Sequence, residues 1–402
     1  MVELSAERGY EGVTVRSLTR LAGVSTRSFY KHFANAEECF AHTYDWLVQD
    51  ALRRAYAARN GSAEPDAAIR ASLRALSEDL VRNPKASRLV LIEAFAAGPA
   101  MRPRMREAIG GFERLLIDSL PGVQEAPSQV IGGVAAASMR VARTRVLVGD
   151  GAELGPLASA LADWILSLSG RHAPAESADR EPFDSSARNG DAREEPGAQI
   201  LGRVGEERGR ILSSTLKLAS AGGVSNLRIP RIRAEAGVSR RSFDARFADA
   251  GECFLEAIEA LAVSAAARAQ SEASGSPGWE RRIYRGLRAL CAEVAHNPAL
   301  AHLAFVDIYA PGRDGLERRE QLISFAADRL RMAIPPEHRP SELVAEASAA
   351  AGWRITQAEV AAGRAKDLPR LLPLLTYVVL APVIGPVTAA EAIRAEELQA
   401  QY

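Results

Sequence analysis

The segment Asn-Ala-Glu-Glu-Cys-Phe, Asn35 to Phe40, returns as Asp-Ala-Gly-Glu-Cys-Phe, Asp249 to Phe254, 214 positions later. The same shift carries Ala22 to Ala236 and Phe29 to Phe243, aligning Ala-Gly-Val-Ser-Thr-Arg-Ser-Phe with Ala-Gly-Val-Ser-Arg-Arg-Ser-Phe. It also carries Asn83-Pro84 onto Asn297-Pro298, Arg140 onto Arg354, Gly149 onto Gly363, and Leu157 and Leu161 onto Leu371 and Leu375. One constant offset from Gly9 to Leu166 implies an internal duplication, two copies of one fold with scarcely an insertion. A chain of 402 residues also exceeds what a single hydrophobic core usually serves.

Between the copies runs Gly170 to Gln199, rich in Pro, Gly, Ser, Ala and charge and poor in apolar residues. Such a segment buries too little surface to offset its ordering entropy, so it reads as a flexible tether. About 30 residues give an r.m.s. reach of roughly 30 Å, enough for the halves to sit side by side. The expected division is 1–45 and 46–169 for the first copy, 170–202 for the linker, and 203–259 and 260–402 for the second.

The two copies read as all-α. Aromatic residues make up only 6% of the chain, and alanine, leucine and arginine dominate, which favours helix over strand. Asn35 and Asp249 are followed three residues later by Glu38 and Glu252, capping boxes that start long helices. Asn83-Pro84 and Asn297-Pro298 end one helix and begin the next. Towards the end of each copy, helices with small residues on one face suit a four-helix dimer interface.

Several function classes recede. The formal net charge is +0, so nucleic-acid binding has to come from a local patch. Cys39, Cys253 and Cys291 form no C-x-x-C pair, which argues against a disulfide scaffold or zinc site and for a reducing, cytoplasmic setting. Cys39 and Cys253 read as small core residues. The histidines show no regular metal spacing, no nucleophile–base pair stands out, and no cofactor is expected. No signal segment opens the chain. The uncharged run Leu371 to Val387 is slightly short for a membrane span, carries three prolines, and reads as a buried terminal helix; no membrane partner is expected. The glycines of Leu201 to Gly209 lack the lysine of a phosphate loop and read as linker. Trp46, Trp164, Phe95, Phe305, Tyr309 and Trp353 are aromatics that either pack the core or line pockets.

The chemistry concentrates in Val13 to Phe40. Thr14 caps a short helix whose Val15, Leu18 and Leu21 form an apolar stripe. Gly23 supplies a left-handed turn and Val24 fills the gap between helices. Ser25 caps a second short helix whose Phe29 and Phe33 face inward. Thr26, Arg27, Ser28, Tyr30, Lys31 and His32 remain outward. Two short helices about a tight glycine turn, the second polar and basic, make a helix-turn-helix. Arg27 is placed to read a guanine edge, and Thr14, Tyr30, Lys31 and His32 to hold phosphates of double-stranded DNA.

From Gly9 to Phe40 this sequence resembles the N-terminal DNA-binding domain of TetR-type regulators, through Gly-x-x-x-x-Thr, the Ala-Gly-Val-Ser turn and Tyr-x-His-Phe. The resemblance covers roughly 35 residues of each copy. It implies a ligand-responsive repressor, in which an unidentified small-molecule effector in the helical domain alters the fit of two heads to half-sites one DNA turn apart. With two heads in one chain, intramolecular pairing and an asymmetric operator are expected. A homodimer of chains is an alternative arrangement, and a small-molecule-binding or scaffold protein with degenerate heads an alternative function.

The copies depart from the family pattern in places. Ala36 and Ala250 stand where the family usually has lysine, and in the second copy Asp244 replaces Tyr30 and Arg246 replaces His32. The second head is nevertheless basic, with ten Lys/Arg against four acids from Arg203 to Phe247, and Arg228, Ser239, Arg240, Arg241, Ser242 and Arg246 are its candidate DNA contacts. Ile211 and Leu212 have counterparts only before residue 1, so the first copy lacks the opening turns of its first helix, and the natural product is expected to be longer than this chain.

Overall fold

The protein is described from a computed structural model, covering residues 1–62, 64–120, 128–148, 154–168 and 206–399. Every regular element among the described residues is helical. The tether expected at 170–199 lies outside them. By its contacts the chain divides into two units, Met1–Ala173 with Pro340–Ala351, and Pro174–Arg339 with Gly352–Tyr402.

The first unit opens with α1 (Val2–Arg8), α2 (Val15–Ala22) and α3 (Thr26–Tyr30), followed by the long α4 (Ala36–Asn60). Its larger part consists of α5 (Pro65–Arg82), α6 (Pro84–Arg88), a π-helical turn Leu89–Glu93 running into α7 (Ala94–Ala96), and then α8 (Arg102–Ser119), α9 (Ser128–Val148) and α10 (Leu154–Leu168). Helix α5 packs against both α4 and α10, and α8 against α4 and α9. Phe40, Tyr44, Leu89 and Met101 form a core beneath the head. Trp164, 1% exposed, donates its indole N–H to Ser348 Oγ at 3.2 Å within the same unit.

The second unit contains α11 (Glu206–Gly222), α12 (Ile229–Ala236), α13 (Arg240–Asp244), α14 (Ala250–Ala273), α15 (Trp279–His296), α16 (Pro298–Phe305) and α17 (Arg313–Ala333). It is completed by the C-terminal half of α18 (Glu342–Ala361), a 3-10 segment Ala365–Leu371, α19 (Leu372–Ile384) and α20 (Pro386–Gln399). Both bounds of α2, α3 and α5 stand 214 residues from those of α12, α13 and α15.

The local chemistry behind these bounds is the same in both units. Asn35 and Asp249 each accept the N–H of the third helical residue at 2.8 Å. Glu38 and Glu252 reach back one residue further than a standard capping box, to the N–H of Ala34 and of Ala248, both at 2.5 Å. Pro84 and Pro298 stand in the first turns of α6 and α16, where a missing N–H costs nothing.

Four expectations are corrected. Leu21 and Val24, read as core, are 56% and 44% exposed, whereas Val238 is 9% exposed. In the second unit Val238 joins one cluster with Ile211 and Leu212 of α11. The counterpart of Leu21 there is Glu235, itself exposed and paired with Lys217 at 2.8 Å, so this face of the helix is surface in both units. The Leu371–Val387 run is neither one helix nor terminal: Gly385, at φ 81, ends α19, and Pro386 starts α20. The 3-10 segment and α19 together, Ala365–Ile384, are long and apolar enough to cross a membrane, but Leu371 through Ala381 are buried in the second unit. The stretch read as linker to Gly209 is helical from Glu206. Trp46 is 60% exposed and not part of the core.

The three thiols are free, Cys39 half-buried and Cys253 and Cys291 buried. Burial pushes both buried thiols up to about 12, Cys253 despite a contact of 3.2 Å with Thr215 Oγ1. A raised thiol pKa leaves the unreactive protonated form in place well above neutral pH. At pH 8 the folded chain is therefore expected to react with a thiol reagent at Cys39 first, with Cys253 and Cys291 released only by denaturant, as peptide mass mapping of the label checks. Leu18, 6% exposed, sits under the head, so Leu18→Ala is expected to cost about 2–3 kcal/mol in chemical denaturation. Leu21→Glu, which installs the residue of the second unit, should stay within about 0.5 kcal/mol.

Candidate nucleic-acid interface

A helix of five residues makes too few internal hydrogen bonds to persist alone, so α3 is held by its cap and one apolar face. Ser25 Oγ accepts the Ser28 N–H at 3.0 Å. Phe29, 6% exposed, closes on Leu4 and Leu18. Its ring lies 5.4 Å from Phe33 and meets Tyr30 edge-on at 5.6 Å. Helix α2 is fixed by a reciprocal cap, Thr14 Oγ1 accepting from Ser17 N at 3.2 Å and Ser17 Oγ from Thr14 N at 3.0 Å. Gly23 then turns the chain at φ 66, ψ 25, a conformation that strains any residue bearing a Cβ.

With Phe29 turned in, the rest of the helix faces water. Thr14, Ser25, Thr26, Arg27, Tyr30, Lys31 and His32 are exposed and Ser28 is half-buried. Arg27 and Lys31 have no side-chain partner among the described residues, nor do the neighbouring exposed Arg16 and Arg20 of α2. The first head is thus a polar surface with several unpaired cations.

The second head has the same backbone and a different charge arrangement. Ser239 Oγ caps α13 by accepting Ser242 N–H at 3.1 Å, Gly237 supplies the turn at φ 65, and Phe243 and Phe247 are buried. Arg228, at the start of α12, does not cap it; its guanidinium donates to the carbonyls of Ser225 and Leu227 at 2.9 and 2.8 Å. Arg240 Nε donates to Asp244 Oδ2 at 3.2 Å. Arg246 pairs with Glu207 of α11 at 2.8 Å and donates to Ser242, whose hydroxyl bonds the same Glu207 at 2.5 Å. The structure therefore gathers Ser242 and Arg246 onto an acid of the first helix, leaving Arg241 as the exposed cation of α13 without a partner.

Glu207 and Glu93 are two residues that the motif does not name. Glu93, 5% exposed, accepts the Tyr10 N–H at 2.9 Å and Arg88 Nε at 3.1 Å. It pins the turn after α1 to the π-helical segment beneath the head. A lone acid in the apolar run Leu-Val-Leu-Ile-Glu was the available signal, because a buried carboxylate needs partners. At the corresponding position in the second unit, Asp307 faces His302 Nδ1 at 3.1 Å instead.

Away from the heads, the second unit has an open pocket of about 260 Å³ between α15, α19 and α20, lined among others by Tyr284, Thr376, Leu380 and Ile384. The Arg281–Glu396 ion pair, 2.6 Å, stands at its edge. No group of three potential metal ligands occurs among the described residues.

Residues 2–43 match the family model of the bacterial regulatory proteins, tetR family. The match spans α1 through the first turns of α4, the elements that position Arg27 and its neighbours. The N-terminal segment is thus similar to the TetR-type helix-turn-helix domain, and every regular element among the described residues is helical.

Ser25→Ala is expected to lower stability by about 1 kcal/mol through loss of the α3 cap. Glu93→Ala removes the acceptor of the half-buried Tyr10 N–H and should cost about 1 kcal/mol. Amide exchange at Tyr10 distinguishes local from global loosening: it should accelerate in Glu93→Ala well before exchange in α5.

Proposed function

We propose that this chain is a DNA-binding transcriptional regulator, acting as a ligand-responsive repressor built of two TetR-like units in tandem. The observation that carries the reading is the exposed helix α3, which presents Arg27 and Lys31 without side-chain partners among the described residues, within the segment that matches the family model. Unpaired cations on a groove-sized helix suit phosphate and guanine contacts. The 214-residue recurrence of α2, α3 and α5 supports a duplication with one head per unit and the domain limits set out above.

In this reading Arg27 contacts bases, while Thr14, Ser25, Thr26, Ser28, Tyr30, Lys31 and His32 set the register on the backbone. In the second head Arg241 meets phosphate, and Arg228, Ser239, Ser242 and Arg246 shape the surface around it. Because the outward residues of the two heads differ, an intramolecular pair faces an asymmetric operator. The pocket near Tyr284 and Thr376, with apolar side chains, hydroxyl groups and the charged Glu280, Arg281 and Glu396 along its wall, is the candidate place for a small effector. A DNA target places the protein in the cytoplasm.

One observation favours a second reading, a scaffold or ligand-binding protein with a weakened second head: Glu207 and Asp244 neutralise two of its arginines. The test is affinity for duplex DNA as a function of salt. A regulator with several phosphate contacts loses affinity steeply between 50 and 200 mM salt. Arg27→Ala is expected to weaken binding roughly tenfold and relax one base position, as fluorescence anisotropy on selected duplexes would read. Salt-independent, weak binding would favour the scaffold. Footprinting supplies the symmetry, and a palindrome protected by two chains would overturn the intramolecular pair.

A further inference from the structure

Arg240 opens α13 and Asp244 closes it, joined by the 3.2 Å bond from Arg240 Nε to Asp244 Oδ2. A cation at a helix N-terminus and a carboxylate at its C-terminus are each opposed by the helix dipole. Basic-before-acidic is also the weaker order for a pair four residues apart. Both side chains are open to solvent, 82% and 51%, where an ion pair contributes little. Helix stability therefore does not account for the pair, and the first head carries Thr26 and Tyr30 at these positions on the same backbone.

What the pair offers outward is a hydrogen-bonding pattern. With Nε engaged, the two terminal amino groups of Arg240 have no partner among the described residues and form the planar fork that matches guanine O6 and N7. Asp244 keeps Oδ1 free, an acceptor suited to the exocyclic amino group of cytosine. A lone carboxylate facing DNA is repelled by phosphate, and its seat on Arg240 offsets that repulsion. Arg246 does not compete for the role, being held by Glu207.

We propose that Arg240 and Asp244 form one base-reading unit, Arg240 taking a guanine and Asp244 an adjacent cytosine, so that the second head selects a G·C-containing step the first head does not read. This rests on the second head entering the major groove as proposed above. The full-length protein and its Arg240→Lys, Asp244→Asn, Asp244→Ala and Arg241→Ala variants are used to select duplexes from a random pool, and their affinities for the wild-type selection are compared. All three positions are exposed, and thermal melts check that the variants fold.

Arg240→Lys keeps the charge but loses the fork; it is expected to lower affinity roughly tenfold and flatten a guanine position. Asp244→Asn is expected to move the neighbouring position from cytosine towards adenine, whose N6 and N7 a carboxamide matches. If Asp244→Ala raises affinity with every base preference unchanged, the aspartate only repels, and the base-reading unit falls while DNA binding by the second head stands. If the Arg240, Arg241 and Asp244 variants all select and bind as wild type does while Arg27→Ala does not, the second head is off the DNA and both readings fall together.

Discussion

Each recognition helix is too short to exist without its wedge. Five residues supply little internal hydrogen bonding, so the burial of Phe29 under Leu4 and Leu18, and of Phe243 in its own cluster, decides that a helix is there at all. The serine cap and the glycine turn then set where it starts and how it leaves its neighbour. Once the phenylalanine points inward, the positions around it have no choice but to face water, which is why charge accumulates on that side. The surface chemistry of both heads is thus a by-product of one buried ring each.

Much of this was legible in the residues. Thr14, Gly23, Ser25, Asn35 and their counterparts act through bonds to chain neighbours within a few positions, so pattern alone identifies them. Exposure of Leu21 was legible only through the repeat, whose other copy has the charged Glu235 at that position. The placing of Arg246 on Glu207 was hidden, because most of α11 and the whole of α12 and α13 separate the two and no spacing rule links them. The run from Leu371 was read correctly as buried, but its break at Gly385 is a backbone event that apolar composition masks.

The two heads differ more in charge than in shape. In the first, Arg27 and Lys31 are unpaired and available to an incoming polyanion at no cost in broken contacts. In the second, two of the three outward arginines are already engaged, and recruiting either to phosphate means releasing an acid. The two surfaces therefore differ in how many of their cations are free of a partner.

The buried carboxylate of Glu93 has a mechanical consequence. The first head is fastened to the helices beneath it by the carboxylate that grips the Tyr10 amide, by the Tyr10 ring edge-on to Phe40 and by the Glu3–Lys85 ion pair. Two of these three ties converge on Tyr10, so a change that loosens the π-helical turn around Glu93 acts first on the short turn between α1 and α2.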